Sequence, residues 1–285
     1  MTAEKRHATT DSGDIAYTAR GSGPAALFVH GVFLNGYLWR HVIERVADLR
    51  RCLAIDLLAH GATRTPADAD LSFTGQARML AAFCDRLELD KVDLVANDSG
   101  GAIAQIFAAH NPQRVRSLTL TNCDAHDNWP PPAFDATRRA VAAGKLGDIL
   151  LGMLADLSLA RASFGVGYEN PEQLSAQTVH EYIAPLAASP ERIRNLERWF
   201  EASHDNSQTV SIEPLLRELR APTQIVWGTG DHFFGVEWAH WLERTIGGAT
   251  RVIELEGAKL FFPEERPAEL ARALREHWTA PSKPS

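Results

Sequence analysis

Basic charge is in short supply: 29 Lys and Arg stand against 36 Asp and Glu, the net charge is -7, and no run of basic residues occurs. A polyanionic partner asks for the opposite balance, so nucleic acid is not an expected partner. Cysteine is scarce too. Cys52, Cys84 and Cys123 lie far apart without a Cys-x-x-Cys pair, and a chain of 285 residues needs no disulfide staples, so they read as buried small hydrophobes. Histidine and cysteine nowhere cluster at metal-ligand spacing, and no metal is expected. Gly228 and Gly230 lack the third glycine and the βαβ setting of a dinucleotide fingerprint, and no Gly-rich loop ends in Gly-Lys-Ser/Thr, so no cofactor is called for. No segment approaches the roughly 20 apolar residues that cross a bilayer. The opening MTAEKRHATTDSGD is polar and has no apolar stretch of signal-peptide length. The expectation is a cytoplasmic protein, away from membranes, acting as a monomer or homodimer on a small molecule.

What is present is a packed globular chain: 45% hydrophobic and 23% charged residues exclude disorder, collagen and coiled coil. Thr9 to Thr18 reads as two short strands around Asp11-Ser12-Gly13-Asp14. Ala25 to His30 is a continuous apolar run, which suits a strand covered on both faces. From there strand and helix alternate: helix Tyr37 to Leu49, strand Cys52 to Leu58, helix Thr74 to Leu87, strand Val92 to Ala96, helix Gly101 to His110 and strand Val115 to Asn122. Repeated β-α-β units imply a parallel sheet with helices on both faces. Between Asp124 and Leu219 no strand is convincing, only amphipathic helical stretches. The alternation then resumes with strand Thr223 to Trp227, helix Val236 to Ile246, strand Arg251 to Leu255 and helix Pro267 to Trp278. The expected organisation is an α/β core in two parts, 1–124 and 220–285, with a helical cap at 125–219 inserted between them.

Chemistry concentrates in Leu94 to Pro112, LVANDSGGAIAQIFAAHNP, a strand running through small residues into a helix. Such a turn holds its central residue at a strained backbone angle, and small neighbours two before and two after let strand and helix approach. Asp98 has Ala96 and Gly100 at those positions; Ser99 would have Asn97 and Gly101. Local sterics favour Asp98, although both registers fit. The competing reading of Asp98 is a plain helix cap.

Here the chain resembles the α/β-hydrolase superfamily over nearly its whole length. The matches are the elbow with its spacing from Asp98 to Pro112, His30-Gly31 after the first long strand, Asp56-Leu57 with His60-Gly61 after the next, and Trp227-Gly228-Thr229-Gly230-Asp231 after the penultimate strand. The resemblance puts aspartate at the nucleophile position, as in haloalkane dehalogenases and epoxide hydrolases. It implies an α/β-hydrolase fold, an oxyanion hole from the Val32 and Ser99 N–H groups, and Asp231 as the acid that orients a histidine, with Asp124 a less favoured substitute. An aspartate nucleophile displaces leaving groups from carbon through an alkyl ester, so the implied reaction is epoxide opening or leaving-group displacement on a largely apolar substrate.

Two departures matter. In Gly257-Ala258-Lys259-Leu260-Phe261-Phe262-Pro263, Leu260 occupies the position of the family's histidine base. Leucine can neither accept a proton nor activate water, so ester cleavage loses its usual base. His232, beside Asp231, is the candidate substitute, with Lys259 and His126 further options. The positions where dehalogenases hold the departing halide carry Val32 and Ser99 instead, which weakens the dehalogenase reading. Tyr168 and Tyr182 are candidates for the paired cap tyrosines of epoxide hydrolases, and His30, Phe33, Trp129 and Leu260 complete the expected substrate-binding set, with Trp199 a further aromatic. Two rival functions stay open: a lyase, isomerase or cyclase using Asp98 as general acid or base, and a catalytically inactive ligand-binding protein.

Overall fold

The computed structural model describes residues 4–280. Its eight strands form a single sheet ordered β1-β2-β4-β3-β5-β6-β7-β8. The strands are β1 Arg6–Thr10, β2 Gly13–Arg20, β3 Ala25–Val29, β4 Arg51–Ile55, β5 Val92–Asp98, β6 Val115–Cys123, β7 Thr223–Gly228 and β8 Ala249–Leu255. β1 and β2 form an antiparallel hairpin, and β2 pairs antiparallel with β4, Tyr17 opposite Ile55. Every later pairing is parallel. All residues of β3, β5 and β7 are buried, as strands sandwiched between helical layers must be.

Among the described residues thirteen α-helices accompany the sheet: α1 Arg40–Val46, α2 Phe73–Arg86, α3 Ser99–His110, α4 Asp135–Ala142, α5 Leu146–Ala155, α6 Leu157–Ser163, α7 Ala176–Ala187, α8 Pro190–Ala202, α9 Ser207–Ser211, α10 Glu213–Glu218, α11 Val236–Thr245, α12 Phe262–Glu265 and α13 Pro267–Thr279. α1, α12 and α13 pack together, while α2 and α3 form another layer that α10 and α11 extend. The helices α4 to α10 lie between β6 and β7, and no strand interrupts them.

Two boundaries depart from expectation for local reasons. β4 stops at Ile55 rather than Leu58, because Asp56 turns its carboxylate onto the Gly36 and Ala62 N–H groups and Lys5 Nζ. β5 continues to Asp98 and α3 begins at Ser99, since Asp98 itself receives the first amide of the helix.

Neighbouring strands lie about 4.8 Å apart. At the carboxyl edge of the sheet β5, β6 and β7 are adjacent, so the ends of these strands bring Asp98, Asp124 and Asp231 into one row. The register sets Asp98 opposite Cys123, one residue before Asp124.

Candidate active site

Asp98 sits at φ 58°, ψ -140°, a backbone state that non-glycine residues rarely adopt. The turn is so tight that its glycines have no substitutes. A Cβ on Gly31 would lie 2.3 Å from Asp98 Cβ, and one on Gly100 would lie 2.3 Å from the His30 carbonyl oxygen. Phe33, on the facing loop, also has positive φ, at 63°. Both strained residues line one cavity.

That cavity has a volume of about 320 Å³. Its walls are aromatic and aliphatic: Phe33, Trp129, Phe134, Phe164, Phe233, Phe234 and Phe261 supply rings, and Val32, Leu146, Ile149, Met153 and Leu260 supply much of the rest. The polar lining residues are Asp98, Thr137 and Ser163. The Ser163 hydroxyl donates to Leu159 O at 2.7 Å. The Trp129 indole N–H donates to Ser203 O at 2.5 Å. Asp98 is therefore the one ionisable side chain in the lining.

The Ser99 N–H, at the positive end of α3, donates to Asp98 Oδ1 at 2.7 Å. The Ser99 hydroxyl is buried and lacks a partner, and it does not face the cavity. The Val32 N–H has no hydrogen-bond partner among the described residues. Burial, reinforced by the charge of Asp231 and opposed by the Ser99 amide, raises the Asp98 carboxyl to about 7.

The three carboxyls differ in the donors they receive. Asp231 accepts from Asn122 Nδ2 at 2.8 Å and from Phe233 N at 2.9 Å, and burial lifts it to about 6. Asp98 accepts from one amide. Asp124 is fully buried, and neither of its oxygens has a partner among the described residues. Burial and then the charges of Asp98 and Asp231 push it well above the carboxylate range. Sequence reasoning treated Asp124 as a secondary option, because isolation of a side chain leaves no mark in a sequence.

Of the expected residues, Val32, Phe33, Asp98, Trp129 and Leu260 meet at the cavity. The others do not line it. His30 is buried with Nδ1–H donating to Gly31 O at 2.7 Å and Nε2 accepting from Leu57 N at 3.0 Å. Burial holds this ring neutral, down at about 4, so it braces the loops behind the site. His232 is exposed to solvent. Tyr168 and Tyr182 both donate to Glu264 Oε2, at 3.3 Å and 2.6 Å, and so are tied to α12 instead of facing a substrate. Trp199 packs behind Trp129, with ring centroids 5.9 Å apart. His126 bonds Glu213 at 2.9 Å. Lys259 does not line the cavity either, and no histidine does. Sequence reasoning missed Phe134, Phe164, Phe233, Phe234 and Phe261; the last two groups flank Asp231 and Leu260, and that adjacency was the available signal.

With this geometry in view, comparison with known proteins decides the family. The family model for the alpha/beta hydrolase fold matches residues 24–265. The chain belongs to the α/β-hydrolase family. It is 26% identical to haloalkane dehalogenase 2 of Mycobacterium tuberculosis over 291 aligned positions, covering 96% of this chain and 95% of that one. A haloalkane dehalogenase of Mesorhizobium japonicum is 44% identical over 102 residues, which is 36% of this chain and 33% of that protein. Among solved structures, a putative ancestral haloalkane dehalogenase superposes with TM-score 0.79 at 25% identity, covering 96% of this chain and 100% of that one. An unliganded epoxide hydrolase shares the fold with TM-score 0.79 at 21% identity, covering 96% and 98% of the two chains. This α/β-hydrolase is thus related to haloalkane dehalogenases and shares its fold with an epoxide hydrolase. Among the described residues no helix is long and apolar enough to cross a membrane.

Proposed function

We propose that this α/β-hydrolase relative is a proton-transfer enzyme of the lyase, isomerase or cyclase type, with Asp98 as general acid and base and the helical insertion serving as a cap over the site. One observation carries the reading: Asp98 is the sole ionisable group in an apolar cavity that no imidazole enters. Hydrolysis through an Asp98 ester needs a second group to activate water, and Leu260 stands at the position the family gives to that group. Proton transfer needs only a carboxyl that changes state near neutrality, which a buried carboxyl at about 7 does.

A second reading has its own support. The positive φ of Asp98 and the Ser99 N–H on Oδ1 suit a carboxylate poised to attack carbon. Intact-mass analysis after incubation with haloalkane, epoxide and ester panels separates the two. The proton-transfer reading expects no adduct on Asp98. A stable adduct mapping to Asp98 makes it a nucleophile stranded without its base. Ligand binding with neither adduct nor proton exchange supports the inactive binding protein.

A further inference from the structure

We infer that the cavity takes an uncharged aromatic ketone, held by the Val32 N–H and enolised by Asp98; this deepens the proton-transfer reading and rests on it.

Phe33, Phe134, Phe233 and Phe261 line the cavity, while Arg, Lys and His are absent from its lining. Buried aromatic walls favour a flat hydrocarbon body by edge-to-face and offset contacts. An anionic substrate would meet Asp98 with no cation to offset either charge. A substrate with many polar groups would leave them unpaired against hydrocarbon. The polar content that the site can match is small, with the Thr137 hydroxyl as the one side-chain group in the lining, besides Asp98, that is not engaged among the described residues. Ser99 N–H is engaged by Asp98 Oδ1, the Trp129 N–H by Ser203 O and the Ser163 hydroxyl by Leu159 O. Val32 lines the cavity beside the strained Phe33, and its amide has no partner among the described residues. A free amide matches a carbonyl oxygen, and a cavity of about 320 Å³ accommodates a small fused-ring frame around it.

With the carbonyl oxygen on the Val32 N–H, the Asp98 carboxylate takes a proton from the α-carbon. The C–H electron pair becomes the C=C bond of an enolate, and the negative charge settles on the oxygen beside Val32. The Asp98 carboxylic acid then returns the proton to the same carbon or, in a conjugated ketone, to the γ-carbon. No co-reactant is consumed.

Three probes test this on the whole protein: β-tetralone, its hydrocarbon analogue tetralin, and the anion β-naphthoate. Calorimetry is expected to show β-tetralone bound about ten-fold or more tighter than tetralin, which corresponds to about 1.4 kcal/mol, and β-naphthoate bound more weakly than both. The carbonyl carbon NMR signal of bound β-tetralone is expected to move downfield. In deuterated water the protein should accelerate exchange at the α-carbons, and Asp98→Asn should bind the ketone yet lose that acceleration. Naphthoate binding as tight as tetralone overturns the substrate class. Equal affinity for tetralone and tetralin with an unmoved carbonyl signal overturns the role of Val32. Selective ketone binding without accelerated exchange overturns enolisation, and with it the proton-transfer reading, while the ligand class stands.

Discussion

Asp98 stays buried at a cost that depends on pH. Its folded value of about 7 lies above the ordinary carboxylate value of 3.8, so between those limits the folded state binds more protons than the unfolded state. Stability is therefore highest at and below about pH 4 as far as this group is concerned, and it declines as pH rises towards 7. Asp98→Asn removes that dependence, and asparagine tolerates the positive φ. Denaturant titrations should show the variant more stable than the parent by up to about 4 kcal/mol at pH 8, with the difference closing by pH 4; an unchanged gap across that range counts against a buried, raised carboxyl. Asp231→Asn should lower the pH at which Asp98 titrates, because the Asp231 charge helps raise it. The low-pH limb of kcat/KM is the readout, and a limb that stays in place removes Asp231 from the argument. Leu260→His places an imidazole in the cavity wall, and if the wild type forms an Asp98 adduct with a haloalkane, the variant should clear it. Residue-level chemistry was only partly legible in the sequence. Asp98, Val32 and Leu260 stand beside motifs that mark them. The absence of donors around Asp124, and the engagement of Tyr168 and Tyr182 by Glu264, depend on contacts between segments far apart in the chain.

Helix α12, only four residues long, ties distant parts together. Glu264 on it receives both tyrosine hydroxyls through Oε2 and pairs with Arg40 Nη2 at 2.7 Å through Oε1. The neighbouring Glu265 accepts from the Glu169 and Asn170 amides at 2.7 Å and 3.0 Å, and the Phe261 N–H donates to Gly167 O at 2.9 Å. The loop carrying Leu260 is thereby fastened to the insertion. Glu264→Ala would leave Arg40 and two buried hydroxyls without their acceptor, which should cost about 2–4 kcal/mol. A urea midpoint that falls at constant m-value is the expected result, with Glu264→Gln intermediate; an unchanged midpoint means these bonds contribute nothing. Regular elements were the most legible part of the sequence. The run AALFVH suits a strand covered on both faces, and β3 is buried throughout. Element ends were read less well where a side chain set them, as at Asp56 and Asp98.

Across the whole molecule, a second set of polar ties joins the segment between β6 and β7 to the sheet. Asn35 Nδ2 reaches Glu181 O at 2.8 Å, Arg192 Nη1 reaches Thr63 O at 2.6 Å, and Arg198 Nη2 reaches Ala69 O at 2.8 Å. These anchor α7 and α8. Helices α5 and α6 instead present Leu151 and Leu159 to solvent, each 53% exposed, and help line the cavity. Hydrogen exchange should accordingly be faster in α4 to α6 than in α7 and α8, and the reverse order would place the flexible margin elsewhere. The alternation of strand and helix made the architecture legible, whereas the ties through Arg192 and Arg198 were not, because arginine-to-carbonyl bonds carry no sequence signature. The apolar lining has a thermodynamic corollary. A neutral guest that fills the chamber strips remaining solvent from Asp98, favours its acid form, and so draws a hydrogen ion from the medium near neutral pH. Heats of complexation measured in buffers of different ionisation enthalpy should then diverge, making uptake of an uncharged molecule register as a charge event.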